Sequence, residues 1–304
     1  MTKPLTNIAA SVRAKLLAGA QTRGEDFNLV LQRYAAERFL YRLGESQHRD
    51  KFVLKGAMLF ALWGGSMYRA TRDLDLTGYG HDEIQWLIDA VRVICMTPCP
   101  TDGLAFQPDT VQAEPIRDES DYGGFRVRLS AVLDSAQIRL QVDVGFGNAI
   151  VPGAQDEDYP TLLNGPAPRI RAYPREAVVA EKLHAMVVLG SATSRWKDFY
   201  DLYVLSTLFP FAGDTLMQSI AATFERRKTA IPEALPVALT PAFFAEENRA
   251  AQWRAYLERN GLPGASADFA MVGERLRAFL GDPLRALVQQ AKLNKSWQPE
   301  GPWQ

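Results

Sequence analysis

The segment Arg69-Ala70-Thr71-Arg72-Asp73-Leu74-Asp75-Leu76 sets two carboxylates two residues apart, with leucines between and after them. On a β-strand successive side chains alternate faces, so Asp73 and Asp75 share one face while Leu74 and Leu76 point into a core. Two like charges held side by side repel, and a divalent cation between them removes that cost. Mg2+ commonly sits on one or two carboxylates and fills its shell with water and substrate phosphates. The pair therefore suits a nucleotide site using Mg2+, with Mn2+ as an alternative. A third carboxylate, Asp143, lies in Arg139-Leu140-Gln141-Val142-Asp143-Val144, where an apolar face again alternates with a polar one. If that strand neighbours the Asp73 strand, three carboxylates converge, enough to hold the two metals of an in-line displacement. An isolated Asp-x-Asp is more often a solvated pair, so the surrounding residues have to decide.

Lys55-Gly56-Ala57 follows the short apolar run Phe52-Val53-Leu54 and precedes an apolar stretch to Trp63 that suits a helix. A helix start offers free N–H groups to an anion. There Gly56 would let phosphate oxygens approach the backbone, and Lys55 would add a point charge. Arg69 and Thr71 have the parity of Asp73 and would face the same phosphates if the strand begins that early. Gly64-Gly65-Ser66 reads as a helix stop rather than a second phosphate loop.

A second cluster lies downstream. Ala180 to Val188 is an amphipathic helix carrying Lys182, and Asp198 and Asp201 share a face at i, i+3, with Arg195 and Lys197 near that helix's start. A transferring phosphoryl group spreads charge over its oxygens, so a cation such as Lys182 would lower the barrier. Asp198 would orient Lys182 or act as a base. A structural salt-bridge network between two helices explains the same spacing. His184 reads as a packing histidine.

The elements that must position these groups follow from periodicity. Asn7 to Leu43 reads as helices separated at Gly24, and Glu83 to Ile94 as another. Phe125 to Leu133 and Ile138 to Val144 alternate and read as a hairpin at the sheet edge, turning at Asp134-Ser135-Ala136. Val151 to Pro174, rich in Pro, Gly and Asp, reads as a junction. Helices follow over Ala177–Val188, Trp196–Leu208, Leu216–Arg226 and Met271–Leu293, and the polar tail from Lys295 to Gln304 reads as mobile. The expectation is an α+β chain in two parts, 1–165 carrying the sheet and 166–304 mainly helical.

With 304 residues, 47% of them hydrophobic, the chain can bury a substantial core, and 23% charge argues against wholesale disorder. A net charge of −1 announces no nucleic-acid partner, although a local basic cleft is compatible with it. Cys95 and Cys99, with only three histidines in the chain, do not make a zinc site and read as reduced thiols. No signal-like or membrane-spanning apolar run occurs, so the expected location is cytoplasmic, away from membranes.

In order along the chain, Phe52-Val53-Leu54-Lys55-Gly56, Arg69 to Asp75, Ala180-Glu181-Lys182-Leu183 and Ser194 to Leu202 resemble the AbiEii/AbiGii (MenT-like) toxin nucleotidyltransferases, as does the helix Tyr34 to Leu40. The resemblance runs from about Tyr34 to Leu205. It implies a DNA polymerase β-like nucleotidyltransferase core, a mixed sheet with flanking helices. A helical C-terminal half would contribute the rest of the active site. It implies Mg2+ and NTP use, a cognate antitoxin protein, and an RNA acceptor, with the tRNA 3′ end expected and aminoacylation blocked as in abortive infection or phage defence. Asp73 and Asp75 match the family's metal carboxylates. Lys55 and Thr71 match its lysine and the Ser before the Asp pair, and Lys182 and Asp198 its later catalytic residues. The family often has Gly-Gly after the lysine, where this chain has Gly56-Ala57. The expected site is thus catalytic Asp73, Asp75, Lys182 and Asp198, nucleotide contacts from Lys55, Gly56, Arg69, Thr71, Arg195 and Lys197, and metal on Asp73, Asp75 and Asp143. A free monomer is expected. Transfer to a protein or an aminoglycoside, and a non-catalytic nucleotide or RNA sensor, remain open on the same residues.

Overall fold

The computed structural model describes residues 7–64, 69, 71–80, 82–116, 123–262 and 266–304. Gly65 and Ser66 of the helix-stop segment, and Ala70, lie outside the described residues. The chain forms two units. The first comprises its described residues up to Gly147 together with Gln155–Ala172, and the second Asn148–Ala154 with Tyr173–Gln304. The chain thus crosses between units three times, where the sequence suggests one boundary at 165/166.

In the first unit, helices α1 (Ile8–Arg23) and α2 (Phe27–Glu45) are separated as expected at Gly24, whose φ of 64° ends α1 in the left-handed region. Each starts on a side-chain cap, Asn7 Oδ1 accepting from Ala10 N and Asp26 Oδ1 from Leu29 N, both at 3.0 Å. Then come β1 (Phe52–Lys55), a 3-10 turn at Gly56–Met58, α3 (Leu59–Gly64), β2 (Asp73–Gly78), α4 (Ile84–Met96), β3 (Leu104–Pro115), β4 (Gly124–Leu133), β5 (Ala136–Phe146), β6 (Gln155–Asp158) and β7 (Arg169–Ala172). The seven strands form one mixed sheet in the order β3-β4-β5-β2-β1-β7-β6, with β2 parallel to β5 and β1 parallel to β7. The α+β class is as expected.

One sheet face is apolar. Leu74, Leu76, Val127, Leu129, Leu140, Val142 and Val144 are buried, with α2 packed against β5 and β7 and α4 against β3. A bidentate ion pair buried between Arg42 and Asp102 (Nη1–Oδ2 2.6 Å, Nη2–Oδ1 3.3 Å) ties α2 to the residues before β3. The other face is polar and half-exposed to exposed along Arg126, Arg128, Arg139, Gln141, Asp143, Asp73 and Asp75. Antiparallel-rich sheets tolerate such a face in water.

Two expectations about this sheet are corrected. The β4–β5 hairpin forms, turning at Asp134 and Ser135, but it is not at the edge. β5 is interior and β3 covers β4. β3 escapes periodicity because its register shifts between Gln107 and Gln112, around Pro108. The supposed junction contains β6 and β7, and β7 extends the sheet from β1. Gln155-Asp156-Glu157-Asp158 has no apolar residue to mark it as a strand.

The second unit contains α5 (Arg175–Leu189), α6 (Trp196–Leu208), β8 (Phe211–Ala212), α7 (Gly213–Arg226), α8 (Pro241–Ala245), α9 (Glu247–Asn260), α10 (Phe269–Val288) and β9 (Ser296–Trp297). Its core is aromatic, with the Phe199 ring 5.6–5.8 Å from those of Phe243, Phe244 and Phe269. The expected mobile tail is instead packed. β9 pairs with β8, and Trp297 and Trp303 are buried, their indole N–H groups donating to Ser206 O (2.7 Å) and Phe279 O (2.9 Å). Two tryptophans outweigh the polar composition around them.

Candidate active site

Strand β2 is paired to β5 so that Asp75 lies opposite Asp143 and Asp73 opposite Gln141. Residues opposed across a sheet share a face. The pairing continues on both sides: Arg126 opposes Asp143, Glu114 opposes Arg126, and Lys55 opposes Asp75. One row across five strands therefore reads Glu114, Arg126, Asp143, Asp75, Lys55. Two carboxylates stand together at its centre with a cation on either side. The third carboxylate expected from the sequence is adjacent to the first two.

Asp143 is engaged. Arg126 Nε and Nη2 donate to Asp143 Oδ1 and Oδ2 at 3.0 and 2.8 Å, the guanidinium fork matching the carboxylate. The hydrogen bonding to Asp143 raises the Arg126 pKa, and the charges of Asp143, Asp73 and Glu114 add to it. Among the described residues no three His, Cys, Asp or Glu side chains are grouped so that together they could hold a metal ion. Carboxylate oxygens on adjacent strands are nevertheless the hard donors that Mg2+ takes, with its remaining positions left to water and phosphate.

Gly56 has φ of 75°, a conformation that disfavours side chains, and it lies directly beneath Asp75. A Cβ there would be 2.8 Å from the Asp75 Cβ and Cγ and closer still to Oδ2. The close approach that Gly56 permits in this structure is that of the Asp75 side chain. The expected helix start is instead a 3-10 turn followed by the six-residue α3. Strand β2 begins at Asp73, so Arg69 and Thr71 precede it and strand parity does not place them. The Thr71 hydroxyl donates to Asp73 O at 3.2 Å, bracing the start of β2.

In the second unit the expected helices bring Lys182 and Asp198 together. Lys182 Nζ lies 2.7 Å from Asp198 Oδ1 and 2.7 Å from Asp201 Oδ2, and Arg195 Nε is 2.7 Å from Asp198 Oδ2. Asp198 and Asp201 are 2% and 1% exposed. Two cations thus pair with two buried carboxylates, Lys182 from a largely buried position and Arg195 from an exposed one. Asp201 was not among the expected site residues, although its i, i+3 spacing from Asp198 was the signal for it. Arg126 was missed for another reason: strand register is not written locally in sequence. Lys197 is exposed on the first turn of α6.

Next to Lys182 on α5, Glu181 Oε1 accepts from Tyr173 OH at 3.1 Å, and His184 lies between Thr229 (2.9 Å) and Arg227 (3.1 Å). Burial, with Arg227 adding, lowers the His184 pKa to about 4. The ring is neutral near pH 7, so Nδ1 accepts from Arg227 and Nε2–H donates to Thr229. Burial pushes the Cys95 thiol up to about 12 and Cys99 in the same direction, which makes both poor nucleophiles.

The sequence profile described as nucleotidyl transferase AbiEii toxin, type IV TA system, matches residues 38–278, well over half of the chain. A search of curated protein sequences finds no significant match. Among solved structures, one similar chain is a Helicobacter pylori protein described as a candidate nucleotidyltransferase, 14% identical. The match covers 84% of this chain and 94% of that one with a TM-score of 0.47. JHP933 from Helicobacter pylori is 13% identical, covering 83% and 90%, with a TM-score of 0.46.

Proposed function

This chain belongs to the nucleotidyl transferase AbiEii toxin family of type IV toxin–antitoxin systems, and we propose that it transfers a nucleoside monophosphate from an NTP to the 3′ end of an RNA, tRNA being the expected acceptor. An acceptor hydroxyl attacks the α-phosphorus, the bond to the bridging oxygen breaks, and pyrophosphate leaves. Blocked tRNA ends account for toxicity in the cytoplasm, and a cognate antitoxin restrains the free monomer.

The observation that carries this reading is the Asp75–Asp143 register pair beside Asp73 on an open sheet face. Like charges opposed in a sheet cost stability unless a cation stands between them. Asp73, Asp75 and Asp143 would hold Mg2+, which when bound supplies Lewis-acid stabilisation of phosphate charge. Lys55, at the end of the same row, meets phosphate oxygens, with Arg69, Arg195 and Lys197 as further nucleotide contacts. Gly56 and Thr71 complete the nucleotide contacts, Gly56 also leaving room for the Asp75 side chain and Thr71 also bracing Asp73 O. Lys182 serves the charge of the transferring group and Asp198 fixes its ammonium. The test is incubation with labelled NTPs, Mg2+ and separate RNA, protein and aminoglycoside acceptors. Label entering RNA alone is expected, and label entering only protein or drug contradicts the RNA acceptor. Among the described residues no helix is long and apolar enough to cross a membrane.

A further inference from the structure

Arg126 is not one of the residues assigned above, yet it occupies the carboxylate that a metal would need. Its fork covers both oxygens of Asp143, at 3.0 and 2.8 Å, one strand away from Asp75. The two side chains are 34% and 17% exposed. The fork is bidentate and the pair only partly open to water, so a divalent cation gains Asp143 only by displacing both guanidinium hydrogen bonds. Without a counter-ion, Asp143 would face Asp75 as an opposed like charge. The guanidinium thus does for Asp143 what a divalent cation would do, and the two compete for the same oxygens. Once displaced, Arg126 remains on the polar face beside the carboxylates, with a planar fork suited to phosphate oxygens.

We propose that Arg126 is a metal-released phosphate clamp: it holds Asp143 until a divalent cation takes that carboxylate, and the freed guanidinium then binds the triphosphate. The proposal rests on the metal and nucleotide reading above. It predicts that metal and nucleotide bind in order and cooperatively, because the metal both fills its site and uncovers a phosphate ligand.

The test uses the full chain and Mn2+, whose free fraction is read by electron paramagnetic resonance. Arg126→Gln is expected to tighten Mn2+ binding about five- to tenfold, and Asp143→Asn is expected to abolish that gain. Arg126→Gln is also expected to weaken a non-hydrolysable NTP analogue about tenfold in the presence of Mn2+. In the unmutated protein, phenylglyoxal labelling of Arg126, read by mass spectrometry, should rise on adding Mn2+ and fall again on adding the analogue. This arm needs no variant to fold. Unchanged or weaker Mn2+ binding in Arg126→Gln overturns the proposal, as does an equal gain in the Asp143→Asn background, which would mean mere removal of a nearby charge. Labelling indifferent to Mn2+ overturns it too. If the unmutated protein binds no Mn2+ at all, the metal reading itself fails. Intact Mn2+ binding without the Arg126 effects overturns only the clamp.

Discussion

Asp75 and Lys182 both sit among charged neighbours, but their surroundings differ in kind. Asp75 is half-exposed on an open sheet face with a second carboxylate opposite it. Lys182 is 14% exposed and lies against two carboxylates that are almost wholly buried, one of them also paired to Arg195. The first grouping sets two carboxylates opposite one another, with Arg126 on one of them and Lys55 opposite the other. The second pairs cations directly with two buried carboxylates. A buried pair is costly to break, because the partner left behind is an uncompensated charge, whereas substitutions on an open face seldom move stability by more than about 0.5 kcal/mol. Spacing alone made both clusters candidates for catalysis, and burial distinguishes what each can be asked to do.

The largest effect that would sharpen this contrast is on activity. Asp73→Ala or Asp75→Ala is expected to lower nucleotide transfer roughly a thousandfold, as loss of several kcal/mol of phosphate charge stabilisation implies. Thermal midpoints should stay close to the parent's. A collapse of folding in either variant would break the contrast. Lys182→Ala comes next. Two buried carboxylates then lose their shared cation, and chemical denaturation should show a loss of about 3–5 kcal/mol, a fall on the order of 10 °C in thermal midpoint. A fully stable but inactive Lys182→Ala protein would mean that the network is catalytic without being structural.

Gly56→Ala tests the packing beneath Asp75. The positive φ and the approach of the carboxylate should together cost about 1–3 kcal/mol, with transfer falling alongside. Gly24→Ala is the control, since its φ of 64° is similar but nothing lies within 4 Å of the added Cβ. It should cost about 1 kcal/mol and leave transfer intact. Equal effects at both positions would remove Asp75 from the explanation. The smallest effect is on pH dependence. The folded His184 pKa is about 4, below the usual 6.5. The unfolded chain therefore takes up the proton first as pH falls, and stability present above pH 6.5 is lost progressively towards pH 4. His184→Gln should flatten that part of the stability profile, measured by urea denaturation at pH 7 and pH 4.5.

How much of this was legible in sequence depends on the range of the information. Asp73 and Asp75 on one face, with Leu74 and Leu76 buried behind them, follow from a two-residue period. The shared face of Asp198 and Asp201 follows from helical spacing, and the break between α1 and α2 at Gly24 is equally local. Arg126 opposite Asp143 was not legible, because register depends on how two strands slide past one another. β7 was hidden because four residues in a Pro- and Gly-rich stretch gain their strand character only by pairing with β1 and β6. Trp297 and Trp303 looked like part of a polar tail until Ser206 and Phe279, far away in sequence, supplied their hydrogen-bond acceptors.

The central claim, nucleotidyl transfer at the Asp73/Asp75 carboxylates, is tested most directly with two labels. Purified protein is incubated with Mg2+ and total tRNA, and with NTP labelled at either the α- or the γ-phosphate. The α label is expected to enter tRNA and the γ label to leave as pyrophosphate, with both signals lost in a folded Asp75→Ala protein. Transfer of the γ label to tRNA, or α labelling that survives Asp75→Ala, would contradict the account.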